Sequence, residues 1–149
     1  MSYSTILAKL KSEVEEVPDI GNVHDYERFQ NQAGDVVTFK KTGLVVPEWT
    51  ITRSRTFETT ENTTVVERDH TFTIRGYYPI DDSLATEKTF QNLIEDLMGH
   101  FRFMDDLDLN VFLSDPLQLQ IFEPRMHETF KAWVHYCELI CKIKENVTG

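Results

Sequence analysis

Two stretches decide the fold: Trp49-Thr50-Ile51-Thr52-Arg53-Ser54-Arg55-Thr56-Phe57-Glu58 and Val66-Glu67-Arg68-Asp69-His70-Thr71-Phe72-Thr73-Ile74-Arg75-Gly76. In each, side chains alternate with period two and are enriched in β-branched and aromatic types, which predicts two strands. A hairpin centred on Glu61-Asn62 would pair Trp49 with Ile74, Ile51 with Phe72, Arg53 with His70, Arg55 with Arg68 and Phe57 with Val66. All these pairs then fall on one face, as a strand register requires. Glu61-Asn62 is not an Asn-Gly turn, so a loop longer than two residues is compatible with the pattern.

That register carries an electrostatic consequence. The base of the hairpin pairs apolar with apolar, but towards the tip the same face would hold Arg53, Arg55, Arg68 and His70. Arg55 directly opposite Arg68 is unfavourable by about a few tenths of a kcal/mol unless an anion intervenes. In a chain of net charge −10 the expected anion is a carboxylate, from this chain or from a neighbour. Two readings follow: arginines at the edge of the core met by an internal Asp or Glu, or an arm that reaches past the helices and docks on a partner.

Outward from the hairpin, Ile6, Leu7, Leu10 and Val14 recur at helical spacing and predict an amphipathic helix over 5–15 with Ser4 as its cap. Val17-Pro18-Asp19-Ile20-Gly21-Asn22 ends it, and Val23 to Arg28 reads as a short strand or extended entry. Phe29 to Thr42 is polar and poorly periodic, a loop with a short element around Val36 to Phe39. After the hairpin, Pro79 to Ser83 stops the strand and offers Ser83 as a cap for a helix over 84–100, whose stripe is Phe90, Leu93, Ile94, Leu97, Met98 and Phe101. Gly99 stands where a C-cap is expected. Leu107 to Leu113 and Leu117 to Ile121 alternate as strands, and Thr129 to Lys144 is apolar on both faces at its centre, as a central strand would be. Strand runs broken by one crossover helix predict an α+β fold: an antiparallel or mixed sheet with a long β-hairpin, packed on one face by two main helices, 5–15 and 84–100.

Length and composition set the outer bounds. The 149 residues predict a single domain over 1–149, burying about two-thirds of the unfolded surface without staples. Hydrophobic residues at 40% and ten Phe place the chain among globular proteins. With 15 Lys+Arg against 25 Asp+Glu it has no long-range attraction for phosphate backbones or anionic lipid. No apolar run approaches the roughly 18 residues of a membrane span, and no apolar signal core follows Met1. Glycine-rich phosphate loops are missing from the sequence. Cys137 and Cys141, four apart on a strand, would sit about 13 Å apart and cannot bridge; they read as small hydrophobes in a reducing cytoplasm.

Candidate chemistry is thin. His24, His70, His100, His127 and His135 show no HExxH or HxxxH spacing and the cysteines no CxxC, so no metal and no cofactor is expected. No GxSxG occurs, and Asp81-Asp82 heads a helix, where negative charge is favourable for structural reasons. Asp105, Asp106 and Asp108 lie in a connection, solvated or facing a partner. The expectation is a protein that is not an enzyme.

The order of segments has a counterpart. A short N-terminal helix, Val23-His24-Asp25-Tyr26-Glu27-Arg28 after a Pro/Gly turn, Trp49-Thr50-Ile51-Thr52-Arg53, His70-Thr71-Phe72-Thr73-Ile74-Arg75-Gly76-Tyr77, then Asp81-Asp82-Ser83 and a helix with Phe90-Gln91-Asn92-Leu93-Ile94 resemble small phage and prophage proteins of the tail-terminator and tail-completion type. The similarity, to the lambda-type U proteins, is one of architecture over most of the chain; the long segment after Met104 departs from it. The resemblance implies a structural protein that forms a homo-oligomeric ring of six subunits on the last ring of the tail tube. It would stop polymerisation and present the surface to which the head joins, with tail-tube and head-neck proteins as partners. DNA would pass through without specific binding, no membrane would be involved, and the protein would move from the host cytoplasm into the virion tail. A ring needs two different patches that meet, and the expected pair is Arg53, Arg55, Arg68 and His70 against Asp105, Asp106 and Asp108. Alternatives in other classes are another neck or tube subunit, or a cytoplasmic enzyme or ligand-binding module with a pocket between helix 84–100 and the sheet.

Overall fold

The computed structural model describes residues 3–26, 40–41, 44–60, 62, 64–104, 106–108, 110–127 and 132–148. Helix α1 (Tyr3–Glu15) leads into β1 (Asn22–His24), a small antiparallel pair β2 (Lys40–Lys41) and β3 (Leu44–Val45), and the long strands β4 (Glu48–Thr60) and β5 (Val65–Pro79). A 3-10 turn (Asp82–Leu84) precedes α2 (Thr86–Arg102), followed by β6 (Asp106–Asp108), β7 (Val111–Leu113), β8 (Gln118–His127) and β9 (Ala132–Thr148). The main sheet is seven-stranded, in the order β1-β4-β5-β9-β7-β6, with β8 also on β9. Among the described residues only β1 and β4 run parallel, so the sheet is mixed and the fold α+β, with both helices packed against the curled sheet. The sequence over 107–113 is a tight β6–β7 hairpin turning at Asn110, which takes a left-handed φ of 61°, rather than one strand. Most of the loop expected over 29–42, including Val36 to Phe39, lies outside the described residues, as does Arg28.

The core lies on one face of β4, β5 and β9. Ile6, Leu7, Leu10 and Val14 of α1 and Phe90, Leu93, Ile94, Leu97 and Phe101 of α2 close over Trp49, Ile51, Phe72, Ile74, Cys137, Leu139, Cys141 and Ile143. Each fully buried aliphatic or Phe side chain contributes about 1.5–3 kcal/mol. Trp49 lies 5.5 Å from Phe90 between ring centres and donates its indole N–H to the Ile20 carbonyl at 2.7 Å, tying the turn after α1 to the sheet. Gly21 belongs to that turn because φ there is +94° and a Cβ would come within 2.2 Å of the Pro47 carbonyl oxygen.

The hairpin register differs from the one that apolar matching predicts. Trp49 lies opposite Gly76 and Ile51 opposite Ile74, an offset of two residues. The reason is volume: the Trp49 ring occupies the space over Gly76, where a Cβ would stand 2.5 Å from Cζ3, so large is set over small rather than large against large. An even offset preserves the face. Then a bulge between Arg53 and Arg55 inserts Ser54, and beyond it Arg55 pairs with Thr71, Thr56 with His70 and Glu58 with Arg68. One extra residue reverses every side chain that follows.

Helix α2 also starts later than expected. Asp81, not Ser83, is the capping residue: its carboxylate accepts the Ser83 N–H at 3.0 Å and the Ser83 hydroxyl at 2.6 Å, stabilising the 3-10 turn. Ala85 at φ 51° then redirects the chain into α2, which continues past Gly99 to Arg102, so Gly99 is internal to the helix and not its cap.

Candidate functional site

At the far end of the three long strands, the covered face changes from apolar to ionic. The row Phe72–Cys141 is followed by Thr56–His70–Ile143 and then by Glu58–Arg68–Glu145. Glu145 is almost fully buried, and the Arg68 guanidinium approaches it at 3.3 Å and Glu58 at 3.2 Å. His70, also buried, places Nε2 3.1 Å from Glu145 Oε1 and Nδ1 3.0 Å from the Thr56 hydroxyl. Burial pushes the His70 imidazole below its ordinary value, against the opposing pull of its hydrogen bond to Glu145, so the ring is neutral near pH 7. Burial pushes the Glu145 carboxyl up, but hydrogen bonding, His70 included, and the Arg68 charge outweigh it and hold the pKa low. An ionised Glu145 only accepts, which assigns the proton to His70 Nε2 and leaves Nδ1 to accept from Thr56. Arg68, His70 and Glu145 lie on the covered side and engage one another, with the largely exposed Glu58 closing the row from outside, an arrangement suited to holding three strands together.

The residues expected to share one charged face are therefore divided. Arg53 stays on the core side and lies over the Tyr3 ring at 4.4 Å. Arg68 is met by Glu58 and Glu145, and His70 is enclosed. Arg55 is carried to the opposite, outer face by the bulge, where it covers the Phe57 ring at 4.0 Å and shares the row Arg55–Thr71–Lys142. The expected Arg55–Arg68 opposition is thus corrected: the odd register places the two arginines on different faces. Of the acidic partners, Asp108 pairs with Lys9 at 3.2 Å, Asp106 is exposed, and Asp105 lies outside the described residues.

The outer face near the tip is a shallow cleft of about 410 Å³ between the sheet and the β7–β8 connection, holding Arg55, Lys142 and Lys144 beside Asp69 and Asp115. Lys144 is engaged by Glu67 at 3.2 Å and Asp69 at 3.9 Å. Nearer the base, the same face carries a group that sequence reading overlooked. Arg75 donates to the Thr52 hydroxyl at 2.9 Å and pairs with Glu138 at 3.5 Å; Tyr136 donates to Glu138, and Arg125 covers the Tyr136 ring at 4.0 Å. Burial, first, and the hydrogen bond to Glu138 push the Tyr136 hydroxyl above its ordinary pKa. The sequence carried little signal for it: Thr73, Arg75 and Tyr77 alternate on the polar side of β5, as an ordinary solvent-facing set does. Beside it, Met126 and Trp133 lie opposite each other across β8 and β9 with 48% and 57% of their surface exposed.

Cys137 and Cys141 are buried free thiols, both pushed up to about 12 by burial and so far from a nucleophilic state at neutral pH. His135 is buried and shares a 2.9 Å hydrogen bond with the Thr86 hydroxyl. His24 bonds Glu48 at 2.8 Å, joining β1 to β4. Among the described residues, Glu13, Glu16 and His100 bring one donor atom each within 4.8 Å of the others. A cleft of about 730 Å³ opens between the turn after α1, the link from β3 to β4 and α2, with an apolar floor that includes Phe90 and Leu93 and a rim that includes Glu15, Glu16, Asp19 and Asp96. Set against known proteins, the chain matches no protein-family model and no curated protein.

Proposed function

We propose that this protein is a structural subunit of a phage or prophage tail, assembling head to tail into a closed ring that ends the tail tube and offers the head-joining surface. The observation that carries the proposal is a pair of open sheet edges. Among the described residues, β4 beyond Thr50 pairs on one side only, with β5, and β8 at the other margin pairs only with β9. Unpaired N–H and C=O rows recruit further strands, and two different edges on one subunit suit a heterologous, ring-closing contact. Arg55 and Asp106, both exposed, remain the charged pair best placed to select the neighbour. The net charge of −10 suits a lumen that passes DNA without gripping it.

Sedimentation velocity over a range of concentrations, with and without isolated tail tubes, tests this reading. The expected result is a discrete ring species, free or on tube ends, that is weakened by Arg55→Glu and partly restored by adding Asp106→Lys. A monomer at every concentration that leaves tube ends unbound would overturn it. A second reading, a ligand-binding module, rests on the cleft beside α2: its apolar floor and a rim whose charged residues are all acidic suit a cationic, partly apolar molecule, and that reading would gain from the monomeric outcome.

A further inference from the structure

We infer that Glu13, Glu16 and His100 form a binding site for a divalent transition-metal ion of the zinc class. The three come from two distant parts of the chain: Glu13 from the last turn of α1 with Glu16 just beyond it, and His100 from the last turn of α2. The Glu16 N–H closes on the Glu13 carbonyl at 3.2 Å, so this tightened turn continues the helix and sets the two carboxylates three residues apart on one side. His100 Nε2 is 2.9 Å from Glu13 Oε2 and 3.6 Å from Glu16 Oε2, and the three donor atoms all lie within 4.8 Å of one another. Donors about 2.1 Å from a tetrahedral zinc ion stand about 3.4 Å apart, between the two separations from His100.

The donor chemistry selects the class of ion. One imidazole with two carboxylates suits zinc, cobalt or nickel; calcium and magnesium ask for an all-oxygen shell of six or more. The local field independently favours a cation. Both helices end here; α1 has Glu13 and Glu15 in its final turn with no basic residue to balance its C-terminal dipole, whereas α2 already carries Arg102 in its own last turn. Glu16 is 64% exposed and His100 25% exposed at the side chain, so an ion can enter from solvent, and three protein ligands leave a fourth position for water. Bound there, it would pin the end of α1 to the end of α2 beside the larger cleft, of which Glu16 is a lining residue.

The test uses the full chain stripped with chelator and titrated with Zn2+ by calorimetry and with Co2+ by visible absorption. One equivalent is expected to bind, with the intense d–d bands of tetrahedral cobalt and a raised melting temperature. Glu16→Gln and His100→Gln should each weaken binding at least tenfold and remove the thermal shift, whereas His24→Gln should leave both unchanged. Mg2+ and Ca2+ at the same concentration should not compete. The exposed position of Glu16 makes its variant a safe one to fold, as far-UV circular dichroism will verify. Failure of the native protein to bind Zn2+ or Co2+ at millimolar concentration, or equal binding by Glu16→Gln and His100→Gln, overturns the site.

Discussion

The base and the tip of the β4–β5–β9 ribbon belong to the same strands, share one hydrogen-bonded ladder and present the same face to the interior, yet different forces hold them. At the base, Trp49 covers Gly76 and Cys137 under both helices, so shape and apolar burial determine which residues oppose each other. At the tip the face is Glu58, Arg68, His70 and Glu145, and charge with directional hydrogen bonds performs that task. The bulge at Ser54 marks the change from one regime to the other. The lesson is that a strand pair can be registered by volume at one end and by charge at the other, with one inserted residue absorbing the mismatch.

That contrast can be broken most severely at the base. Trp49→Ala removes the largest fully buried side chain and its hydrogen bond to Ile20, and should cost about 3–5 kcal/mol in a urea unfolding experiment. An unchanged midpoint would mean that the base is not organised around this ring. Next comes Arg68→Ala at the tip, which takes the cation from a buried carboxylate. With 24% of the Arg68 side chain in water, the expected loss is about 2 kcal/mol, below the value for a fully enclosed pair. Amide exchange should quicken in 56–60 and 65–70 while the base stays protected; loss of protection across the whole sheet would contradict the division into two regimes.

The smallest expected effect is a dependence on pH. Burial depresses the pKa of His70 at the tip and of His135 near the base, so below the ordinary value of 6.5 the unfolded chain takes up protons that the folded one refuses. Stability is therefore full above about pH 6.5 and declines as pH falls below it. Glu145, held low, adds a second decline once pH falls below the ordinary carboxylate value of 4.5 and through its folded value. Melting temperatures from about pH 7.5 down to about pH 5 should fall, and His70→Gln should flatten part of that slope. A flat profile in the native protein would remove the buried neutral histidines from the account.

Much of the architecture was legible because it rests on periodicity. The 3.6-residue stripes of α1 and α2 and the period-two runs of β4, β5 and β9 each reflect burial of one face, and burial of one face is a local pattern. What failed was relative position. Matching Trp49 to Ile74 maximised apolar pairing in one dimension, but the indole needed the empty space over Gly76, a three-dimensional fact. Ser54 leaves no sequence mark of a bulge, since a serine in a threonine-rich strand reads as one more polar position. The candidate site inherited both errors: Arg53, Arg55, Arg68 and His70 are near one another in the chain, but only Arg68 and His70 share a cluster, and their partner Glu145 lies 77 and 75 residues away.

By itself, then, the sequence determined the α+β class, the two helices and their buried stripes, the central place of the last strand and an acidic surface, because each follows from which residues avoid water and which carry charge. Only the tertiary structure decided which face Arg55 occupies, which carboxylate answers Arg68, and that Glu13 and Glu16 meet His100 across more than eighty residues of chain. Those outcomes depend on packing volume and on the closure of distant segments, which no local spacing encodes.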